Sequence, residues 1–160
     1  MNMKKFLIFL WIFLVFGVQG CAPKRYEKPM PAMIVIKTPT MRYADQGFIY
    51  RNERGVKIQI YSLGTPIFSM RISKNICLKA GCMSERDFQK RYLGTLYPPG
   101  TLAAIFLKRP IFGGKNLQCE GERCRQRIKN DSFDIIYAFD SRSASFKDRK
   151  HHILLKIREF

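Results

Sequence analysis

The chain has 160 residues, 46% of them hydrophobic, and carries 29 Lys and Arg against 12 Asp and Glu, a formal charge of +17. That length bounds it to one domain with a modest core, and the charge points to nucleic acid, an anionic membrane surface or an acidic partner. No histidine-rich tract, zinc-finger spacing or aromatic RNA-binding motif is present, which disfavours nucleic acid.

At the start, Lys4 and Lys5 precede an apolar run from Phe6 to Val18. The run is short for a spanning helix, which needs roughly 20 apolar residues, and its basic start and small residue before Cys21 suit processing instead. The tetrapeptide Val18-Gln19-Gly20-Cys21 resembles the lipobox of bacterial lipoprotein signals. That resemblance implies a signal peptide over 1–20, cleavage before Cys21, and acylation of the Cys21 thiol and amine. Ala22 follows where an aspartate would retain an enterobacterial lipoprotein at the inner membrane, so the implied address is the periplasmic face of the outer membrane. Loss of residues 1–20 removes two lysines and no acid, leaving 27 basic and 12 acidic residues, a formal +15. The alternative is an uncleaved anchor, with Cys21 an ordinary juxtamembrane thiol; the remaining chain still lies outside the cytoplasm.

Residues 21–31 hold Pro23, Pro29 and Pro31 among charges, the composition of an extended tether reaching roughly 30 Å at about 3.1 Å per residue. A single domain is expected over 32–160. Ala32 to Lys37 reads as a first strand, apolar on both faces, and Gly47 to Arg51 as a second; Asn52 to Gly55 makes a turn. Val56, Ile58 and Ile60 alternate with Lys57, Gln59 and Tyr61, the period of a strand with one buried face. After Leu63-Gly64-Thr65, Phe68, Met70 and Ile72 alternate in the same way, giving an antiparallel meander.

Past Cys82 the period changes. Ser84 and Asp87 resemble a capping box, and Phe88, Tyr92, Leu93 and Leu96 share one face of a helix that Tyr97-Pro98-Pro99-Gly100 ends. Thr101 is placed to cap a second helix, Leu102 to Leu107, ending before Pro110. Its six residues include nothing polar, so it must be covered on more than one side. Strands return with Phe133, Ile135, Tyr137 and Phe139, and, after a polar turn from Ser141 to Lys150, with Ile153, Leu155 and Ile157. The chain is therefore expected to be mainly β, of the α+β class.

Cys77 and Cys82 share a spacing with Cys119 and Cys124. In an oxidising compartment an even count reads first as disulfides, with three connectivities open and two local bridges the simplest. A four-thiolate zinc site is the minor alternative, because zinc pairs are normally spaced more tightly. No cofactor or metal is expected, and no enzyme. His151 and His152 sit together at a strand start, no serine lies in a nucleophile-elbow setting, and the acids form no paired site.

The order of pieces resembles the outer-membrane lipoprotein receptor LolB and its periplasmic carrier relative LolA, over roughly Gly47 to Phe160. Tyr61-Ser62-Leu63-Gly64-Thr65 is similar to the receptor's protruding loop, and the stretch from Tyr97 to Pro110 to its proline-led lid helix. Gln126-Arg127-Ile128, Phe133 to Phe139 and Ile153 to Ile157 are similar to its terminal strands. The chain departs from the family in being shorter than a typical receptor and in its four further cysteines. The resemblance implies an incomplete antiparallel β-barrel, a half-barrel greasy inside and closed by short lid helices. It also implies the partners: a LolA-like periplasmic carrier, acylated lipoprotein cargo and the inner leaflet of the outer membrane, with a monomer as the default state. Phe48, Tyr50, Val56, Ile58, Ile60, Phe68, Met70 and Ile72 are the candidate cavity lining, with Leu102, Ile105 and Phe106 on the lid. Leu63 is the candidate membrane-inserting residue; a turn leucine folded back onto the sheet is its alternative. The competing functions are a structural or interaction lipoprotein of a secretion or motility apparatus, with a filled core, and a carrier of other lipids.

Overall fold

The structure, a computed structural model, describes residues 28–160. The expected signal peptide, Cys21 and the tether up to residue 27 lie outside the described residues. Eleven antiparallel strands form one open sheet in the order β6-β5-β4-β3-β2-β1-β11-β10-β9-β8-β7. The first half comprises β1 (Met30–Lys37), β2 (Arg42–Asn52), β3 (Gly55–Ser62), β4 (Thr65–Ile72), β5 (Ile76–Leu78) and β6 (Gly81–Met83). The second comprises β7 (Leu117–Glu120), β8 (Arg123–Lys129), β9 (Asp134–Phe139), β10 (Ser143–Asp148) and β11 (Ile153–Glu159). The chain starts in the middle of the sheet and walks out to one edge. It then crosses over the face through helices α1 (Glu85–Phe88) and α2 (Thr101–Phe106), and walks back from the other edge until β11 pairs with β1.

Period-two alternation gives the longer strands one inner face, and these faces make a single core. Ile34, Ile49, Ile58, Met70, Ile128, Tyr137, Phe146 and Leu155 are all buried on it. Gly47 sits where β2 and β3 come together: a Cβ there would lie 2.1 Å from the Gln59 carbonyl oxygen, so only glycine fits. Each free edge of the sheet ends in a short hairpin closed by a disulfide. Cys77 on β5 faces Cys82 on β6, and Cys119 on β7 faces Cys124 on β8, with Cα atoms 3.9 and 4.1 Å apart. The two bridges are therefore local, and the thiolates a zinc site needs are absent.

Four local expectations are corrected. Met30 and Pro31, expected within the tether, belong to β1, where the Pro31 carbonyl accepts from Phe160 N. The polar stretch from Ser141 to Lys150 is no turn: Ala144, Phe146 and Asp148 put β10 on the core face, and only its ends turn. Leu96 is exposed, because the helix ends at Gly94 in the left-handed region, φ 69°. Thr101 is not the cap of α2. Gly100, at φ 81°, holds that position, while the Thr101 hydroxyl donates to the Pro98 carbonyl at 2.7 Å. Ser84 does cap α1, its hydroxyl accepting from Asp87 N. That helix runs on through a widened turn, Gln89–Leu93, in which Gly94 N donates to the Gln89 carbonyl.

Candidate functional site

The site is the inner face of the sheet and the segment from Ser84 to Lys115 that covers it. Val56, Ile58 and Ile60 on β3 and Phe68, Met70 and Ile72 on β4 are buried, as are Leu102, Ile105 and Phe106 on α2. Two candidates face the wrong way. Phe48 and Tyr50 lie on the convex side, because β2 pairs Gly47 with Ile60 and Ile49 with Ile58, and directly paired residues share a face. Ile49 takes their place inside, fully buried. Gly47 to Tyr50 has no polar residue to mark parity, so a one-residue shift of face was not legible there.

The cover is tied down at three places, each by a buried polar side chain on the inner face of a strand. On β10, Asp148 accepts the Tyr97 hydroxyl at 2.7 Å and is paired with His151 Nδ1 at 2.7 Å. Tyr97 stands among aromatic rings, 5.4 Å from Phe133 and 5.5 Å from Phe146 between centroids. Burial, reinforced by the hydrogen bond and charge of Asp148, pushes the Tyr97 hydroxyl far above the usual tyrosine range. On β11, Glu159 pairs with Arg51 from β2 and with Lys108 just after α2, the latter at 2.5 Å. Arg51 also donates to the Phe106 carbonyl at 3.4 Å. On β8, Gln126 accepts from Ile111 N and donates to the carbonyls of Ile111 and Lys115.

The proline-led loop is braced from α1 as well. The Gln89 carboxamide accepts from Tyr97 N at 2.6 Å, and Glu85 accepts from Gly100 N at 2.8 Å. Among the described residues no buried side-chain nitrogen or oxygen lacks a partner. The cover is thus apolar against the sheet and polar at its margins. Such a piece is held by a few discrete bonds and by the contacts of α2.

Leu63 occupies the tip of the β3–β4 hairpin, fully exposed, in a two-residue turn with Gly64. Both turn residues have positive φ, 48° at Leu63 and 79° at Gly64. The turn suits Asn or Asp followed by Gly; a leucine there is strained and unsupported by packing. The folded-back alternative for Leu63 is thereby excluded in this structure. On the convex face nearby, Phe48 meets Tyr61 edge-on at 5.7 Å, and Lys57 lies 5.1 Å over the Tyr50 ring. Lys57 pairs directly with Arg71 on that face, whereas Arg51 points inward.

Tyr97, Asp148, Glu159, Gln126 and Lys108 were not singled out by pattern. The signal was available for three of them. Asp148, Glu159 and Gln126 each stand two residues from a buried apolar neighbour, on the apolar parity of a strand, where a polar residue must find a partner. Among the described residues no helix is long and apolar enough to cross a membrane, and no group of three or more His, Cys, Asp or Glu side chains is placed to hold a metal. Comparison with family models finds no match, and comparison with curated proteins finds none.

Proposed function

We propose that this chain is a lipid-anchored receptor at the periplasmic face of the outer membrane that takes acylated lipoproteins from a periplasmic carrier and passes them into the bilayer. The observation that carries this reading is the construction of the cover: one proline-hinged segment, apolar toward a largely apolar sheet face and fastened at its margins by Asp148, Glu159 and Gln126. On this reading acyl chains enter by displacing α2. Lifting Leu102, Ile105 and Phe106 off the wall costs about 1.5–3 kcal/mol each. Kept out of water, a 16-carbon acyl chain is worth about 12 kcal/mol, at about 0.8 per methylene. Release into water would forfeit that amount, and handover must run from one apolar site to another. Leu63 supplies the contact with the leaflet: its entry contributes on the order of 1.5–3 kcal/mol, enough to orient a tethered domain without anchoring it.

The test uses the chain begun at Ala22, which keeps every buried core residue among those described, since these run from Ala32 to Ile157. It is mixed in detergent-free buffer with an acylated lipoprotein bound to its carrier. Transfer to the domain is expected, and Leu63→Glu is expected to accept cargo but leave it undelivered to vesicles. Failure of a folded sample to take cargo would remove the reading.

A second reading, an interaction lipoprotein of an envelope apparatus, is favoured by one observation. The inner wall is packed against α2, with Ile58, Ile60 and Ile105 wholly buried. On that reading the cover never lifts, and the same transfer experiment separates the two.

A further inference from the structure

The convex face has an order of its own. Register places Arg127, Ile136, Lys147, Leu154, Lys37 and Arg42 in one continuous row across β8, β9, β10, β11, β1 and β2. Cations alternate with aliphatic side chains from Arg127 to Lys37, those two strands apart standing roughly 10 Å from one another, and Arg42 follows directly beside Lys37. The next row toward the far rim runs Arg125, Ala138, Ser145, Lys156, Val35 and Ala44. Neither row contains an acid. The nearest carboxylate at that end of β9, Asp134, is occupied by Arg127 at 2.9 Å and by Arg149 at 2.8 Å. Lys37, Arg42 and Lys147 are exposed and form no ion pair with the described residues.

The row also lies at a meaningful end of the sheet. In an antiparallel meander β1 and β3 finish at the same rim, so Lys37 and Arg42, which flank the β1–β2 turn, share the rim of the Leu63 tip. Lys147, next to the end of β10, lies at that rim too. A partner protein is read by shaped pockets and paired charges of both signs. A row of one sign, interleaved with aliphatic stems beside an exposed leucine, suits a fluid surface of phosphates over hydrocarbon.

We propose that Lys37, Arg42 and Lys147 form the electrostatic half of a membrane-docking edge, holding the domain against a leaflet that carries anionic glycerophospholipids while Leu63 supplies the apolar half. The proposal rests on the membrane reading of Leu63, but its test is independent of cargo delivery.

The experiment is vesicle flotation of the chain begun at Ala22, without lipid anchor or cargo, using phosphatidylcholine alone or with 30% phosphatidylglycerol. Binding is expected only with the anionic lipid, falling steeply as salt shortens the screening length below about 10 Å. Each juxtamembrane cation strengthens such binding roughly five-fold, so the triple variant Lys37→Gln, Arg42→Gln, Lys147→Gln should lose about 100-fold. Substitution of Lys74, Lys79 and Lys90, exposed cations on other elements, should leave binding unchanged. Unchanged melting of the triple variant shows that the loss is not unfolding.

Salt-dependent binding that survives Leu63→Glu but not the triple change supports the row even if Leu63 has no part in delivery. Binding that ignores phosphatidylglycerol, or is the same in wild type and the triple variant, overturns the proposal. So does a triple variant that binds vesicles normally but loses association with an acidic carrier, since the row would then belong to a protein interface.

Discussion

The Tyr97 hydroxyl donates to Asp148 at 2.7 Å, fastening a loop of the cover to a fully buried carboxylate on β10. Tyr97→Phe keeps the ring among Phe133 and Phe146 and removes only the donor. Asp148 retains His151 and the backbone N–H of Lys150. A hydrogen bond to a charged group contributes about 1.5–3 kcal/mol, so the variant should lose that much in denaturant titration. Amide exchange should accelerate from Gly100 to Ala104 and stay slow in β1 and β11. An unchanged midpoint would show that the cover is held without this bond.

The same tyrosine sets the alkaline limit. Burial raises the hydroxyls of both Tyr97 and Tyr137 well above the ordinary value near 10. A group whose folded value is raised contributes stability that is complete below its unfolded value and is lost as pH climbs toward the folded one. Stability should therefore be flat to about pH 10 and then fall by up to about 2.7 kcal/mol per pH unit while both tyrosines titrate only in the unfolded chain. Tyr137→Phe should halve that slope, which denaturant midpoints measured between pH 9 and 11 would show. At the acid end the sign reverses. Arg149 holds Asp134 low, and Ser143 holds Asp140 low, so their contribution is present above about pH 4 and disappears below it.

Glu159 joins three parts of the chain, Arg51 on β2, Lys108 after α2, and its own strand β11. Glu159→Gln leaves two nearby cations without a counter-charge. Removing one partner of a buried pair costs about 3–5 kcal/mol. Here the low end is expected, because the Arg51 and Lys108 side chains keep 17% and 11% of their surface in solvent. Exchange of the α2 amides should rise more than that of β9, and uniform exchange across the two would count against Glu159 as a fastening of the cover.

Most of the sheet could be read from the chain because β3, β4, β9 and β11 alternate cleanly, and the alternation is set by the same burial that forms the core. β10 could not: Ser143-Ala144-Ser145-Phe146-Lys147-Asp148 offers one large apolar residue, and its inner face is completed by Asp148, whose partner Tyr97 lies 51 residues away. Phe48 and Tyr50 misled for the opposite reason, since a strand apolar on both faces carries no parity and only pairing with β3 supplies it. The cover's α2 was legible as an apolar helix, but its fastenings were not, because each is a bond between residues remote in sequence. The local disulfides were the simplest of three pairings, and their place at both free edges of the sheet follows from topology alone.

Those edge positions limit what reduction can do. Each bridge closes a loop of sequence separation 5, for which chain entropy gives about 2 kcal/mol. Substituting all four cysteines by serine should lower stability by about 4 kcal/mol at most, and exchange protection should vanish first in β5, β6 and β7. The central pair β1 and β11 should remain protected. Global loss of structure on mild reduction would mean that the stability of the centre depends on the bridged edges.

Leu63 is where stability and the proposed activity pull apart. At φ 48° the residue occupies a backbone region that costs a leucine about 1–2 kcal/mol, and its side chain, fully exposed, gains nothing back from packing. Asparagine tolerates that region, and Asn-Gly is the favoured pair for a two-residue hairpin turn. Leu63→Asn should therefore raise the denaturation midpoint by the equivalent of about 1 kcal/mol. If the leucine is there to enter a leaflet, the same variant should lose delivery of lipoproteins to vesicles, because a polar amide forfeits the apolar transfer that orients the domain. A purely structural turn predicts the reverse pairing, with stability unchanged or lower and delivery intact. Measuring both properties on one variant separates strain retained for use from an incidental turn residue.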